Sequence, residues 1–103
     1  MRGLAHGQVW WADLDKIRPV VVLTRGRVAS RLTRVLVAPV TTTIRGLAVE
    51  VPIGGAEGVK QGSVANLDNA HLLHVNRLIA LAGSVAHHRW AEFCTAMQNV
   101  MAC

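Results

Sequence analysis

The sequence is short of acid. Its 103 residues hold six Asp and Glu against eleven Lys and Arg, for a formal net charge of +5, and charged residues make up only 17% of the chain. The usual share is about 25%. With 51% apolar residues, so little charge excludes intrinsic disorder. Long apolar runs are absent as well. The longest are Pro19–Leu23, Val35–Val40 and Leu78–Ala82, far below the roughly 20 apolar residues that a membrane-spanning helix needs. The start, Met1 to Gly7, lacks the apolar core of a secretory leader, so a cytoplasmic location is expected.

Cysteine is scarce: Cys94 and Cys103 are the two, and no Cys-x-x-Cys pair exists for zinc or redox chemistry. On one helix they would stand about 13 Å apart, while a bridge needs Cα atoms within about 7 Å. Two free, reduced thiols are expected. Gly-x-Gly-x-x-Gly, a phosphate loop ending in Gly-Lys-Ser/Thr and His-Glu-x-x-His are all missing, which removes the commonest nucleotide and zinc-hydrolase signatures. His71 and His74 are three apart and would face opposite sides of a strand. No metal site and no cofactor are expected.

The length suits a single domain over residues 1–103 with a modest core. The charge is concentrated: residues 1–45 carry a net +6 and the rest −1. A basic half points to a polyanion or to an acidic protein partner. A mean hydropathy of +0.33 suggests apolar surface covered by another chain.

Alternating apolar residues predict a first strand over Gly7–Leu14, then a turn at Asp13–Ile17. A second strand covers Arg18–Thr24, and its Val20-Val21-Val22-Leu23 run predicts burial on both faces. Pro19 donates no ladder bond, so it is expected at the strand's first position or on an edge. A polar connection over Arg25–Thr33 leads to a third strand, Arg34–Val40, and a half-exposed fourth follows over 47–52. Gly54–Gly58 reads as a loop. Ser63–Leu67 and Leu72–Val75 are short strands, and Leu78–Val85 suits strand or helix. Trp90, Phe93, Cys94, Met97 and Met101 then fall at helical spacing, predicting an amphipathic helix from about Ala86 to Met101. The expected fold is mainly β with a C-terminal helix, a small barrel or sandwich.

Two polar groups flank apolar strands: Lys16 with Arg18, and Thr41-Thr42-Thr43-Ile44-Arg45. If the second and third strands pair antiparallel, Arg18 and Thr41 lie at one sheet edge. A forked guanidinium and a hydroxyl there could hold one phosphate. A solvated arginine beside β-favouring threonines explains the same residues. Trp10 and Trp11 should point to opposite faces. One would belong to the core, and the other would stack a base or line a subunit seam.

At these positions the sequence resembles the MazF/PemK family of toxins. The resemblance is carried by Gly7-Gln8-Val9-Trp10-Trp11-Ala12-Asp13-Leu14, Arg18-Pro19-Val20-Val21-Val22-Leu23-Thr24-Arg25, Val37-Ala38-Pro39-Val40-Thr41-Thr42-Thr43-Ile44-Arg45-Gly46 and Ser63-Val64-Ala65-Asn66-Leu67-Asp68-Asn69. It implies an SH3-like barrel of the CcdB/MazF toxin type, working as a homodimer. It also implies a sequence-specific, metal-independent endoribonuclease of the mRNA-interferase kind that blocks translation and growth. The family's catalytic arginine falls on Arg18 and its catalytic threonine on Thr41. Its acidic-Gln pair falls on Asp68-Asn69, where Asn shortens the amide's reach. Lys16, Thr42, Thr43 and Arg45 become candidates for gripping RNA. The family's longer loop between the first two strands is cut down here, since Asp15 is only three positions from Arg18, so a different cut-site preference is expected.

RNA supplies its own nucleophile, the 2′-OH. In-line attack on the adjacent phosphorus would leave 2′,3′-cyclic phosphate and 5′-OH ends. Arg18 would stabilise the pentacoordinate state electrostatically rather than act as a base. The implied partners are single-stranded RNA and an antitoxin with an acidic, partly disordered tail. Two other classes fit parts of the pattern: a CcdB-like gyrase-binding toxin on the same fold, and an RNA-binding module that leaves RNA intact.

Overall fold

The computed structural model describes residues 3–29 and 31–101, with positions 27 and 28 as backbone only. Arg2 and Cys103 lie outside the described residues. Seven strands form: β1 (Gln8–Asp13), β2 (Ile17–Val22), β3 (Arg34–Thr41), β4 (Glu50–Ile53), β5 (Ser63–Asn66), β6 (His71–His74) and β7 (Leu78–Ser84). A short helix α1 (Gly26–Ala29) interrupts the polar connection after β2, and α2 (Trp90–Val100) ends the described chain. All pairings are antiparallel, in the order β4-β5-β3-β2-β1-β7, and β6 also pairs with β3.

The valine run behaves as its pattern predicts. Val20 and Val22 pack with Leu4, Ala12, Val35, Val37 and Leu78 in one core. Val21 points the other way, into a second core with Val9, Ala38, Val40, Ala65 and Phe93. β2 and β3 are therefore walls shared by two apolar layers, and an uninterrupted apolar run is what such a wall requires. Phe93, 1% exposed, anchors α2 to the second core and stacks on Trp90 with ring centroids 4.9 Å apart.

Several expectations need correction. The sheet does not close into a barrel: β4 and β7 end the strand path without pairing. Instead, backbone fills the gap. The turn Gly55–Glu57 and Gly58 lie so close to Ala82 and Gly83 of β7 that a Cβ on either glycine would overlap the opposing main chain. Pro19 is the third residue of β2 rather than its first, and β2 is flanked by β1 and β3, but at Pro19 itself only the β1 side is paired, so the residue stands on a local edge. It is tolerated because pairing to β3 begins only at Val20, opposite Pro39.

The fourth strand starts at Glu50 rather than 47, because the Glu50 carboxylate accepts the backbone N–H groups of Arg45 and Leu47 and folds 45–50 into a turn. The Leu47 N–H, chiefly, also holds that carboxyl below its ordinary pKa. Leu78–Ser84 is a strand. The final helix starts later than Ala86, after a 3-10 turn at His87–Arg89, and Cys94 and Met101 of its expected stripe are exposed.

Arg89 ties these parts together. It donates to both Glu92 oxygens at 2.9 Å and to the Pro52 carbonyl at 2.7 Å. Its Nη1 also lies 3.4 Å from Oε2 of Glu57. Glu57 is itself buried and accepts the Gly54 N–H at 2.7 Å. The hydrogen bonds with Glu92 push the guanidinium above its ordinary pKa and hold the Glu92 carboxyl below the usual range. Each charge is stabilised by the other.

Candidate nucleic-acid interface

The interface begins where β3 changes partners. Up to Pro39 it pairs with β2, and from Val40 it pairs with β5, Val40 opposite Ala65 and Thr41 opposite Val64. Continuing the β2–β3 register two steps would set Arg18 opposite Thr41, but Pro19 and Pro39 stand at that point without donors. The strands splay, and a cleft of about 320 Å³ opens between them. Lys16, Arg18, Thr41, Thr42 and Thr43 line it, so Arg18 and Thr41 share one cleft without being ladder partners.

Two features make the cleft chemically open. Among the described residues the Arg18 side chain makes no hydrogen bond. Its Nε is buried without a partner, and the nearest acid, Asp15 Oδ1, is 3.6 Å from it. That is ion-pair distance, too long for a hydrogen bond. The donors of the fork are therefore uncommitted. Thr41 Oγ1 accepts the Thr43 N–H at 3.1 Å, which fixes the hydroxyl and leaves its proton free to donate.

Four further residues line the cleft that sequence reasoning did not single out as ligands: Pro19, Val40, Lys60 and Ser63. Lys60 lies in the half of the chain with no basic excess, so charge counting passes over it. Ser63 donates to the Lys60 carbonyl at 2.6 Å and pins that backbone to the cleft wall. Trp10 and Trp11 separate as expected. Trp10 packs against the first core and donates to Gln8 Oε1 at 3.0 Å, while Trp11, 37% exposed, lines the cleft.

Arg45, Asp68 and Asn69 are not among the cleft walls. Arg45 lies in the turn held by Glu50. Asp68 and Asn69 follow the end of β5 remote from Ser63, in a 3-10 turn where Asn66 Oδ1 accepts the Asp68 N–H. His71 and His74 use their Nδ1 atoms on local backbone, at Asn69 O and Asn76 N–H.

An open antiparallel sheet with a C-terminal helix, carrying a basic cleft at a strand splay, defines a class of small β proteins. Comparison with known proteins narrows that class. The family described as PemK-like, MazF-like toxin of type II toxin-antitoxin system matches residues 5–101. The chain belongs to this family.

It is 43% identical over 102 residues to "Probable endoribonuclease MazF5" of Mycobacterium tuberculosis, covering 96% of this chain and 94% of that protein. Endoribonuclease MazF3 of the same organism is 53% identical over 64 residues, 62% of each chain. Among solved structures, the Mycobacterium tuberculosis toxin MazF-mt6 superimposes with a TM-score of 0.87 at 41% identity, covering 90% of this chain and 94% of that one. No helix among the described residues is long and apolar enough to cross a membrane.

Proposed function

We propose that this chain is a metal-independent endoribonuclease, the toxin of a type II toxin–antitoxin pair, which cuts single-stranded RNA through the 2′-OH next to the scissile phosphate. The observation that carries the reading is the uncommitted Arg18 fork beside the fixed Thr41 hydroxyl. Both stand in the basic cleft, in a chain whose relatives are named endoribonucleases.

The chemistry follows from those groups. The 2′-OH gives its proton to solvent as its oxygen attacks phosphorus, the bond to the 5′-oxygen breaks and that oxygen takes a proton from solvent, so the products are a 2′,3′-cyclic phosphate and a 5′-OH. Charge builds on the non-bridging oxygens in the transition state. Arg18 grips them at two points and stabilises that charge, while the Thr41 hydroxyl donates a hydrogen bond to one of them. Lys16, Thr42 and Thr43 hold the flanking backbone. Trp11 offers an aromatic face for a base. Arg45, Asp68 and Asn69 are left for contacts of a longer RNA outside the cleft.

The basic cleft also suits the acidic, partly disordered tail of an antitoxin, which would order as it binds and exclude RNA. A homodimer accounts for exposed Ile17, Leu72, Ile79 and Leu81 on the sheet. The final strand, β7, is paired on one side only.

The deciding experiment incubates purified protein with a long mixed-sequence RNA in EDTA and analyses the ends. Cleavage with cyclic-phosphate and 5′-OH ends is expected. Intact RNA, with folding confirmed, would sink the reading in favour of a toxin that only binds.

Thr41→Val tests the hydroxyl. It keeps the shape but removes the donor, so kcat should fall roughly tenfold to a hundredfold with Tm nearly unchanged. Thr41→Ser should keep most of the activity. Equal rates for Thr41→Val and wild type would remove Thr41 from the reaction.

A further inference from the structure

A second hollow, about 480 Å³, opens beside the cleft, and Ser63 lines both. Its walls are apolar, with Ile44, Pro52, Ile53 and Val64, and Gln61 lies at its rim. The Gln61 side chain is held there with some care. Its Oε1 accepts the Gly55 N–H at 3.0 Å. A Cβ on Gly54 would overlap the same amide oxygen, so the lack of a side chain at 54 is what lets the amide lie on the backbone.

An N–H can be met only by an acceptor, so the amide orientation is fixed: oxygen toward Gly55, NH2 away from it. Among the described residues that NH2 has no partner. The other polar groups of the hollow are committed, Glu57 to Gly54 and Arg89, and Arg89 to Glu57, Glu92 and Pro52.

We propose that this hollow is the subsite for one nucleobase next to the scissile phosphate, and that Gln61 is a specificity-determining residue that reads it. The inference rests on the ribonuclease reading above. Lys60 and Gln61 are adjacent in sequence but line different hollows, with Ser63 between them. A nucleotide whose phosphate sits with Arg18 and Lys60 can turn its base over Ser63 toward Ile44 and Pro52. There the apolar walls take the faces of the base, and the fixed NH2 donates to an acceptor on its edge. Single-stranded RNA is read in this way, by splayed bases with hydrogen-bonded edges.

The test uses two variants that act on one amide. Gln61→Glu keeps an oxygen for the Gly55 N–H but replaces two donors with an acceptor. Gly54→Ala displaces the amide while leaving its donor and acceptor chemistry unchanged. Cleavage positions in a random-sequence RNA are mapped for wild type and both variants, with Tm measured alongside.

The Glu variant weakens binding to every RNA through its charge, so the readout is relative preference rather than rate. At one position flanking the cut, Gln61→Glu should shift preference roughly five- to tenfold, the scale of one neutral hydrogen bond. The shift should run toward bases that present an amino group. Gly54→Ala should flatten the same position and no other. Profiles that superimpose on the wild type would overturn the inference and leave the ribonuclease reading standing. Failure of the wild type to cut would overturn that reading and this inference with it.

Discussion

Arg18→Lys should lose about 10²-fold or more in cleavage rate, nearly as much as Arg18→Ala, although it keeps the positive charge. The expected loss is on the scale of removing one key electrostatic donor from a transition state. A lysine delivers a compact point charge on a flexible stem, whereas the guanidinium offers a planar fork matched to two phosphate oxygens. Neither variant should disturb the fold, because the Arg18 side chain makes no hydrogen bond among the described residues and only a loose pair with Asp15. Single-turnover cleavage of one defined oligonucleotide, with thermal melts as control, measures this. Near-wild-type cleavage by the lysine variant would rule out the two-point grip.

The largest effect on stability is expected at Gly58. Its φ of +84° is left-handed, and a Cβ there would overlap the Ala82 carbonyl and crowd the Gly83 nitrogen. The left-handed backbone alone costs a non-glycine residue roughly 1–2 kcal/mol. Because the obstacle is main chain, the turn must also move off β7, the contact that stands in for strand pairing at the open side of the sheet. Gly58→Ala should therefore destabilise by about 3 kcal/mol or more, on the order of 15 °C in Tm for a domain of this size.

Gly46→Ala supplies the control. Its φ is +73°, but nothing lies within 4 Å of the added carbon, so it should lose only the backbone share. Equal melting of the two variants would mean that the close approach contributes nothing.

What the sequence made legible, and what it did not, divides along one physical line. Features written in local periodicity came through. The valine run announced burial on both faces, and α2 followed its helical spacing with an error of a few residues at its start. Features that depend on which distant backbones meet did not. Pro19 sits inside a strand with neighbours on both sides, and nothing local says that β3 leaves β2 just there and frees one side of the proline. The fourth strand was drawn too long because the Glu50 carboxylate, not hydropathy, sets where it begins.

The candidate site splits the same way. Arg18 and Thr41 could be placed near each other because antiparallel pairing of two obvious strands runs toward both, and they line one cleft. Lys60 and Gln61 could not, because they reach the clefts from a glycine-rich connection whose sequence says only that the chain turns, and Ser63 was legible only as the first residue of a strand.

β3 pairs with β2, β5 and β6, and its side chains feed both apolar layers. Such a strand makes unfolding collective: detaching it strips one wall from each layer at once, so neither half has a stable remainder to fall back on. The cleft sits at the point where this strand passes from one set of neighbours to the other. Its geometry is thus tied to the global folding equilibrium rather than to a loop that can open alone, and the separation between Arg18 and Thr41 should hold until the whole protein gives way.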